Sequence, residues 1–243
     1  FIKDGPVVQE RDFQGQINVD SDTNSSVAYD GPLAVLTSRF SASASEIFAG
    51  ALQNYGRAVI IGDSSTHGKG TVQAVLEMKN YLPRMSQEFT NTGAAKLTVR
   101  KFYLPNGSST QNKGVVPDIS LPSIDDFLPI GEASLPHALM WDAIKPTAFT
   151  GKALDKSLVQ PLLQASRSRQ ESLEEFAYLK KSIDWFKERQ EQKTISLNLD
   201  KRLALKQADD DFRKVMDAEV ERLAKNNYAS REIKLDSIIK AEA

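Results

Sequence analysis

Two short strings in this chain hold the residues best suited to chemistry. The first is Arg39-Phe40-Ser41-Ala42-Ser43-Ala44-Ser45-Glu46. It joins the apolar run Leu33–Thr37 to residues that recur at helical spacing, so a hydroxyl there stands where a strand ends and a helix begins. Backbone N–H groups at such a start point outward and can stabilise an oxyanion. The small residues on both sides let another backbone approach. A serine alone is a poor nucleophile and needs a base. The second string is Thr66-His67-Gly68-Lys69-Gly70-Thr71-Val72-Gln73, which follows the apolar run Ala58–Ile61. Glycines beside a lysine remove bulk from around its amine. A lysine drawn out of water favours its neutral form, the form that accepts a proton. Gln73 lies four residues beyond Lys69 and is placed to hold that amine. If the two apolar runs pair as neighbouring strands, Ser43 and Lys69 meet at one sheet edge as nucleophile and base.

Each string has other readings. Ser43-Ala44-Ser45-Glu46 also fits a capping box, with Ser43 as the N-cap. Lys69 also fits a surface hairpin turn. Gly68-Lys69-Gly70-Thr71 lacks the first glycine of a phosphate loop and no helix follows it, which speaks against nucleotide binding. His67 offers a second base, in a triad with Ser43 and Asp63; the chain has two histidines, His67 and His137. Asp209, Asp210 and Asp211 fit the start of a helix, where the dipole favours carboxylates, and no partner ligands cluster nearby to make them a metal site.

The elements that must position these residues follow from periodicity. Between the two apolar runs, Ile47, Phe48, Ala51, Leu52 and Tyr55 recur at helical spacing and Gly56 supplies a stop. Strand, helix and strand in so short a span make a βαβ unit with parallel strands. Thr71–Glu77 and Lys96–Leu104 read as further strands, Asn80–Gly93 as a loop, and Pro105-Asn106-Gly107 as a turn. From about Leu139 the pattern becomes helical. Leu173, Phe176, Leu179, Ile183 and Phe186 form one apolar stripe, a second helix is expected from about Asp211 to Lys225, and the tail after Asn226 is polar. The chain has 243 residues, 40% hydrophobic, with a net charge of −1, so no global field favours nucleic acid or an anionic membrane. Cysteine is absent, which excludes disulfides, thiol catalysis and cysteine-ligated metal. No apolar run approaches the ~18 residues of a membrane span. The chain begins at Phe1 with no signal-peptide pattern.

These strings resemble the tail-specific proteases of the carboxy-terminal processing peptidase family. Gly31-Pro32-Leu33-Ala34-Val35-Leu36 resembles the strand before the nucleophile, Arg39–Phe48 the nucleophile motif, and Gly68–Gln73 the lysine motif. Lys101-Phe102-Tyr103, Gly107–Gln111, Lys113–Ile119, Ala138–Asp142 and Ile195–Asn198 are similar to later segments. The resemblance implies an α/β, crotonase-like core over residues 1–138 and a helical C-terminal domain over 139–243. It implies Ser43 as nucleophile, Lys69 as general base, Gln73 as the residue that orients it, and the Ala44 N–H as an oxyanion donor. It implies an endopeptidase that selects proteins by apolar C-terminal tails, with no cofactor or metal, in a bacterial periplasm. The family also carries a PDZ domain and a glycine-rich oxyanion loop. Neither is seen in this sequence, so the chain is expected to be a C-terminal portion, weakly active alone, that partners the upstream PDZ-containing part and an adaptor protein. Asn54 stands where the family often has aspartate, a position implicated in activity. The approach to Lys69 is one residue longer than usual, with His67 in place of an aromatic ring. These departures motivate a second reading, a non-catalytic module that binds polypeptides on a protease scaffold.

Overall fold

The chain opens on a hairpin fixed by its turn residues. β1 (Gly5–Asp12) and β2 (Ile17–Asp22) pair antiparallel. The Asp12 carboxylate accepts from the N–H groups of Gln14 and Gln16, both at 2.9 Å, and Gly15 takes φ 84°. The computed structural model describes residues 1–81 and 92–224.

β3 (Ala34–Thr37), α1 (Ala44–Asn54) and β4 (Val59–Gly62) form the expected βαβ unit. β3 and β4 run parallel, with Ala34 opposite Val59 and Thr37 opposite Gly62. α1 lays Ala49 and Leu52 against Ala58, Ile60 and Val115, and Ile2, Leu33 and Val35 complete that cluster. The helix ends at the expected place, where Gly56 takes φ 63°. β5 (Thr71–Glu77) and β6 (Ala94–Tyr103) pair antiparallel, and β6 also pairs with β1, giving a sheet in the order β2-β1-β6-β5. β7 (Ile119–Ser120) joins β4 in parallel to complete a second sheet, β3-β4-β7. The lysine loop, residues 63–70, is the link from one sheet to the other.

Helices follow: α2 (Lys156–Ser172), α3 (Glu174–Glu191) and α4 (Leu199–Ala224). The chain divides into two compact units, Phe1–Glu171 and Ser172–Ala243. The segment after Leu139 that was expected to travel with the helices therefore packs in the first unit. Trp141 Nε1 donates to the Ser109 carbonyl at 2.9 Å, the Ile144 N–H to the Gly107 carbonyl at 2.9 Å, and Phe149 lies 5.2 Å from Tyr55 between ring centroids. In the second unit Trp185 of α3 stacks on Phe212 of α4 at 4.1 Å.

One expectation about α4 is overturned. The helix begins at Leu199, and Asp209, Asp210 and Asp211 lie inside it rather than at its start. Asn198 opens the helix, its side chain accepting from the Lys201 N–H at 3.0 Å. Asp209 pairs instead with Arg189 of α3 at 2.7 Å, and Asp211 accepts from Gln207 at 2.8 Å. Among the described residues no group of three or more His, Asp or Glu is placed to hold a metal ion. No described helix is long and apolar enough to cross a membrane. Most of the expected Asn80–Gly93 loop, the expected helix end at Lys225 and the polar tail fall outside the described residues.

Candidate active site

Ser43 stands at the turn from β3 into α1 with φ 56° and ψ −112°. A non-glycine residue held there stores roughly 1–3 kcal/mol of backbone strain. The surrounding loop over-determines that turn. The Ser38 N–H donates to Ser41 Oγ at 3.1 Å, and the Arg39 N–H to the Asp63 carboxylate at 2.7 Å. The Arg39 guanidinium donates to the Thr66 carbonyl at 3.0 Å and also bonds Ser65 Oγ and the Ile130 carbonyl. The nucleophile loop is thereby fastened to the lysine loop before either reaches its reactive residue.

Glu46 makes the decisive link. It is fully buried one turn into α1. Its Oε2 accepts from the Ser43 N–H at 2.8 Å and from the Lys69 N–H at 2.9 Å. Those two backbone nitrogens therefore lie no more than 5.7 Å apart, the sum of the two bonds. Glu46 Oε1 accepts from the Thr66 hydroxyl at 2.5 Å and from the Gly68 N–H at 2.6 Å. Burial pushes the Glu46 carboxyl above its ordinary range, against the hydrogen bonds from Thr66, Gly68, Ser43 and Lys69, which pull it down. Half of the capping box read from the sequence is present, the bond from the Ser43 N–H to the Glu46 carboxylate. The Glu46 N–H, however, reaches the Ser43 carbonyl at 2.9 Å, and the Ser43 hydroxyl makes no cap hydrogen bond. Glu46 thus serves the cap and the lysine loop with one carboxylate.

The other candidates are placed as follows. Ala44 is exposed and is the first residue of α1, where an N–H has no intrahelical partner. Lys69 is half-buried. Gln73 is exposed on β5, directly after a register irregularity between Val72 and Gln73. Such an irregularity re-aims the side chain that follows it. Asn54 is not brought to the site. It lies eleven residues along α1 from Ser43, about 16 Å away at ~1.5 Å per residue. Its side-chain oxygen accepts from the Asn106 N–H at 3.0 Å and so supports the turn at Pro105–Gly107. The histidine triad is not assembled either. Asp63 is engaged by Arg39, and His67 Nδ1 is buried without a hydrogen-bond partner among the described residues.

Residues 1–121 match peptidase family S41, and residues 126–242 match the C-terminal domain of tail specific protease. The chain belongs to peptidase family S41. It is 40% identical over 214 residues to the tail-specific protease of Haemophilus influenzae, covering 86% of this chain and 30% of that protein. It is 44% identical over 88 residues to a carboxy-terminal-processing protease of Bartonella bacilliformis, covering 36% of this chain and 18% of that protein. Among solved structures, a photosystem II D1 C-terminal processing protease is similar at 32% identity and a TM-score of 0.42, over 50% of this chain and 28% of that one. This S41 chain thus spans 30% of the length of its Haemophilus relative.

Sequence reasoning missed how the lysine loop of this S41 chain is held. Glu46 was legible only as a capping residue, because its other partners lie some twenty residues downstream. Thr66 was read as a loop residue, yet it is fully buried, donates to Glu46 and accepts from the Val115 N–H at 2.7 Å. An isolated buried threonine leaves no periodic signal.

Proposed function

We propose that this S41 chain carries the Ser/Lys centre of a tail-specific serine endopeptidase. The observation that carries the proposal is the shared acceptor: Ser43 and Lys69 hang their backbone N–H groups on one oxygen of Glu46. In this reading Ser43 Oγ attacks the peptide carbonyl while Lys69 Nζ takes its proton. The Ala44 N–H stabilises the oxyanion. Lys69 then returns the proton to the leaving amine, an acyl-enzyme remains on Ser43, and water releases it. Gln73 orients the lysine amine. The parallel β3-α1-β4 unit and the antiparallel sheet beside it support a crotonase-like core. By the same resemblance the protein acts in a bacterial periplasm on polypeptides with apolar C-termini.

The test uses the full-length protein and an unfolded polypeptide with an apolar C-terminus. Ser43→Ala and Lys69→Ala each abolish hydrolysis with the fold retained by circular dichroism. Lys69→Arg fails as well, since a guanidinium does not give up its proton in this range. Hydrolysis that survives Lys69→Ala but is lost in His67→Ala would replace this reading with a histidine triad.

A further inference from the structure

We propose that Gln111, oriented by Glu132, is a positioning residue for the lysine loop: its amide fixes the peptide that follows Lys69 and so the place from which the amine takes a proton. The proposal rests on the Ser43/Lys69 reading above. Gln111 is a large polar side chain with no exposed surface. Such a group is retained in an interior only when its hydrogen bonds are met. Gln111 Oε1 accepts from the Gly70 N–H at 2.9 Å, and its Nε2 donates to Glu132 Oε1 at 3.3 Å.

The neighbours of Gln111 grip the same loop in step. Thr110, also fully buried, donates its hydroxyl to the Lys69 carbonyl at 3.2 Å. The Asn112 N–H donates to the Gly68 carbonyl at 2.8 Å. Glu46 holds the opposite side through the Gly68 and Lys69 N–H groups. The Lys69 residue is therefore pinned at its N–H by Glu46 and at its carbonyl by Thr110, and the next N–H is taken by Gln111. A Cβ on Gly70 would lie 2.6 Å from the Gln111 nitrogen, so the grip is at backbone contact.

Glu132 gives this grip its direction. A carboxamide can present either its oxygen or its NH2 to Gly70, and only the oxygen accepts from an N–H. A carboxylate on the far side takes the NH2 end and leaves the oxygen facing Gly70. Glu132 is itself fixed to the lysine loop, its N–H donating to the His67 carbonyl at 2.9 Å. Among the hydrogen bonds of the described residues, Gln111 and Glu132 reach neither Ser43 nor the lysine amine, so their action passes through the loop. Displacement of a reacting group by ~1 Å costs on the order of 10²-fold in rate.

The experiment measures kcat and KM separately on the full-length protein, with the melting temperature of each variant. In Gln111→Glu two carboxylates face each other, and kcat falls on the order of 10²-fold with KM nearly unchanged. The double variant Gln111→Glu/Glu132→Gln exchanges the two groups: the carboxylate accepts from Gly70 and from the introduced amide, and kcat returns to within severalfold of wild type. Glu132→Ala, at a half-buried position that tolerates truncation, loses kcat while KM and melting hold. Wild-type kcat in Gln111→Glu or in Glu132→Ala, or a double variant that folds and is no faster than Gln111→Glu, would overturn the proposal. Ser43→Ala is run alongside. Hydrolysis that persists in it removes the Ser/Lys reading itself, whereas an inactive Ser43→Ala beside a fully active Gln111→Glu removes the role of Gln111 alone.

Discussion

Ser43 holds a backbone angle that serine avoids, and the loop around it keeps it there. At φ 56° a glycine rests without strain and an alanine does not. Relief of roughly 1–3 kcal/mol of strain outweighs the ~0.5–1 kcal/mol that glycine loses through a freer unfolded chain. Ser43→Gly is therefore expected to be more stable than Ser43→Ala by about 1 kcal/mol, read from urea midpoints, although both are inactive. A glycine variant less stable than the alanine one would mean that the angle stores no strain. Glu46 makes a second case. An amide in its place sets an NH2 group against one pair of its donors, so Glu46→Gln is expected to cost about 2 kcal/mol. Its pH dependence has a definite sign. The folded carboxyl is raised above its unfolded value, so its contribution to stability is full below the unfolded value and lost as pH rises through the folded one. Stability measured against pH should decline across that window in the wild type, and that component should vanish in Glu46→Gln. The capping half of this residue was legible from Ser43-Ala44-Ser45-Glu46. Its hold on Thr66, Gly68 and Lys69 was not, because only the folded βαβ unit brings those donors to it.

Elements were legible where one short-range rule governed them. β3, α1 and β4 follow from two apolar runs and one helical stripe, and their parallel register places both reactive strings at one sheet end. β2 is exposed along almost all its length, so it lacks the apolar face that marks a strand in a sequence. α2 carries Pro161 inside it, which by local rules argues against a helix there. The first turns of α4 leave Leu199 and Leu203 mostly exposed, so no stripe announced them. The Ala138–Asp142 string lies at the expected boundary between core and helical domain, and Asp142 serves the antiparallel sheet. It pairs with Arg11 of β1 and Lys101 of β6, each at 2.5 Å, and accepts from the Tyr103 hydroxyl at 3.1 Å. Burial pushes the Asp142 carboxyl up, but the hydrogen bonds from Lys101 and Arg11 prevail and hold it below the usual carboxylate range. A depressed folded value means stability that is present above the unfolded value and lost as pH falls through the folded one. Asp142→Asn is expected to lower stability near neutrality by on the order of 1 kcal/mol, since the partners are partly exposed and screened. It should also flatten the acid limb of the stability profile. Unfolding curves at several pH values check both, and an unchanged acid limb would show that Asp142 does not set it.

At the scale of the whole molecule, the family matches and the packing divide the chain at different places. The match to the C-terminal domain of tail specific protease begins at residue 126, while the first compact unit runs to Glu171. The contacts of Trp141, Ile144 and Phe149 described above explain why the intervening segment belongs to the first unit. Gln170 adds to them by donating to the Ser120 carbonyl at 3.1 Å. The chain has two tryptophans, and each unit holds one of them: Trp141 in the first, Trp185 in the second. They make the division measurable. The first unit has a mixed α/β interior that includes Ile60, Phe102 and Tyr103, whereas the buried hydrophobics described in the second are Ile183, Met216 and Leu223. Less apolar surface removed from water gives a smaller stabilisation and a shallower dependence on denaturant. Fluorescence of Trp185, read in Trp141→Phe, should therefore lose its folded signal at lower urea and with a smaller slope than fluorescence of Trp141, read in Trp185→Phe. Trp185→Ala deletes the stack on Phe212 and the face over which Arg189 lies at 4.2 Å. It should cost about 3 kcal/mol in the second unit, the usual range for a large aromatic truncated in a packed contact, while the Trp141 transition stays in place. Coincident transitions in the two single-tryptophan variants, with the Trp141 transition shifting in Trp185→Ala, would mean that the two units unfold as one.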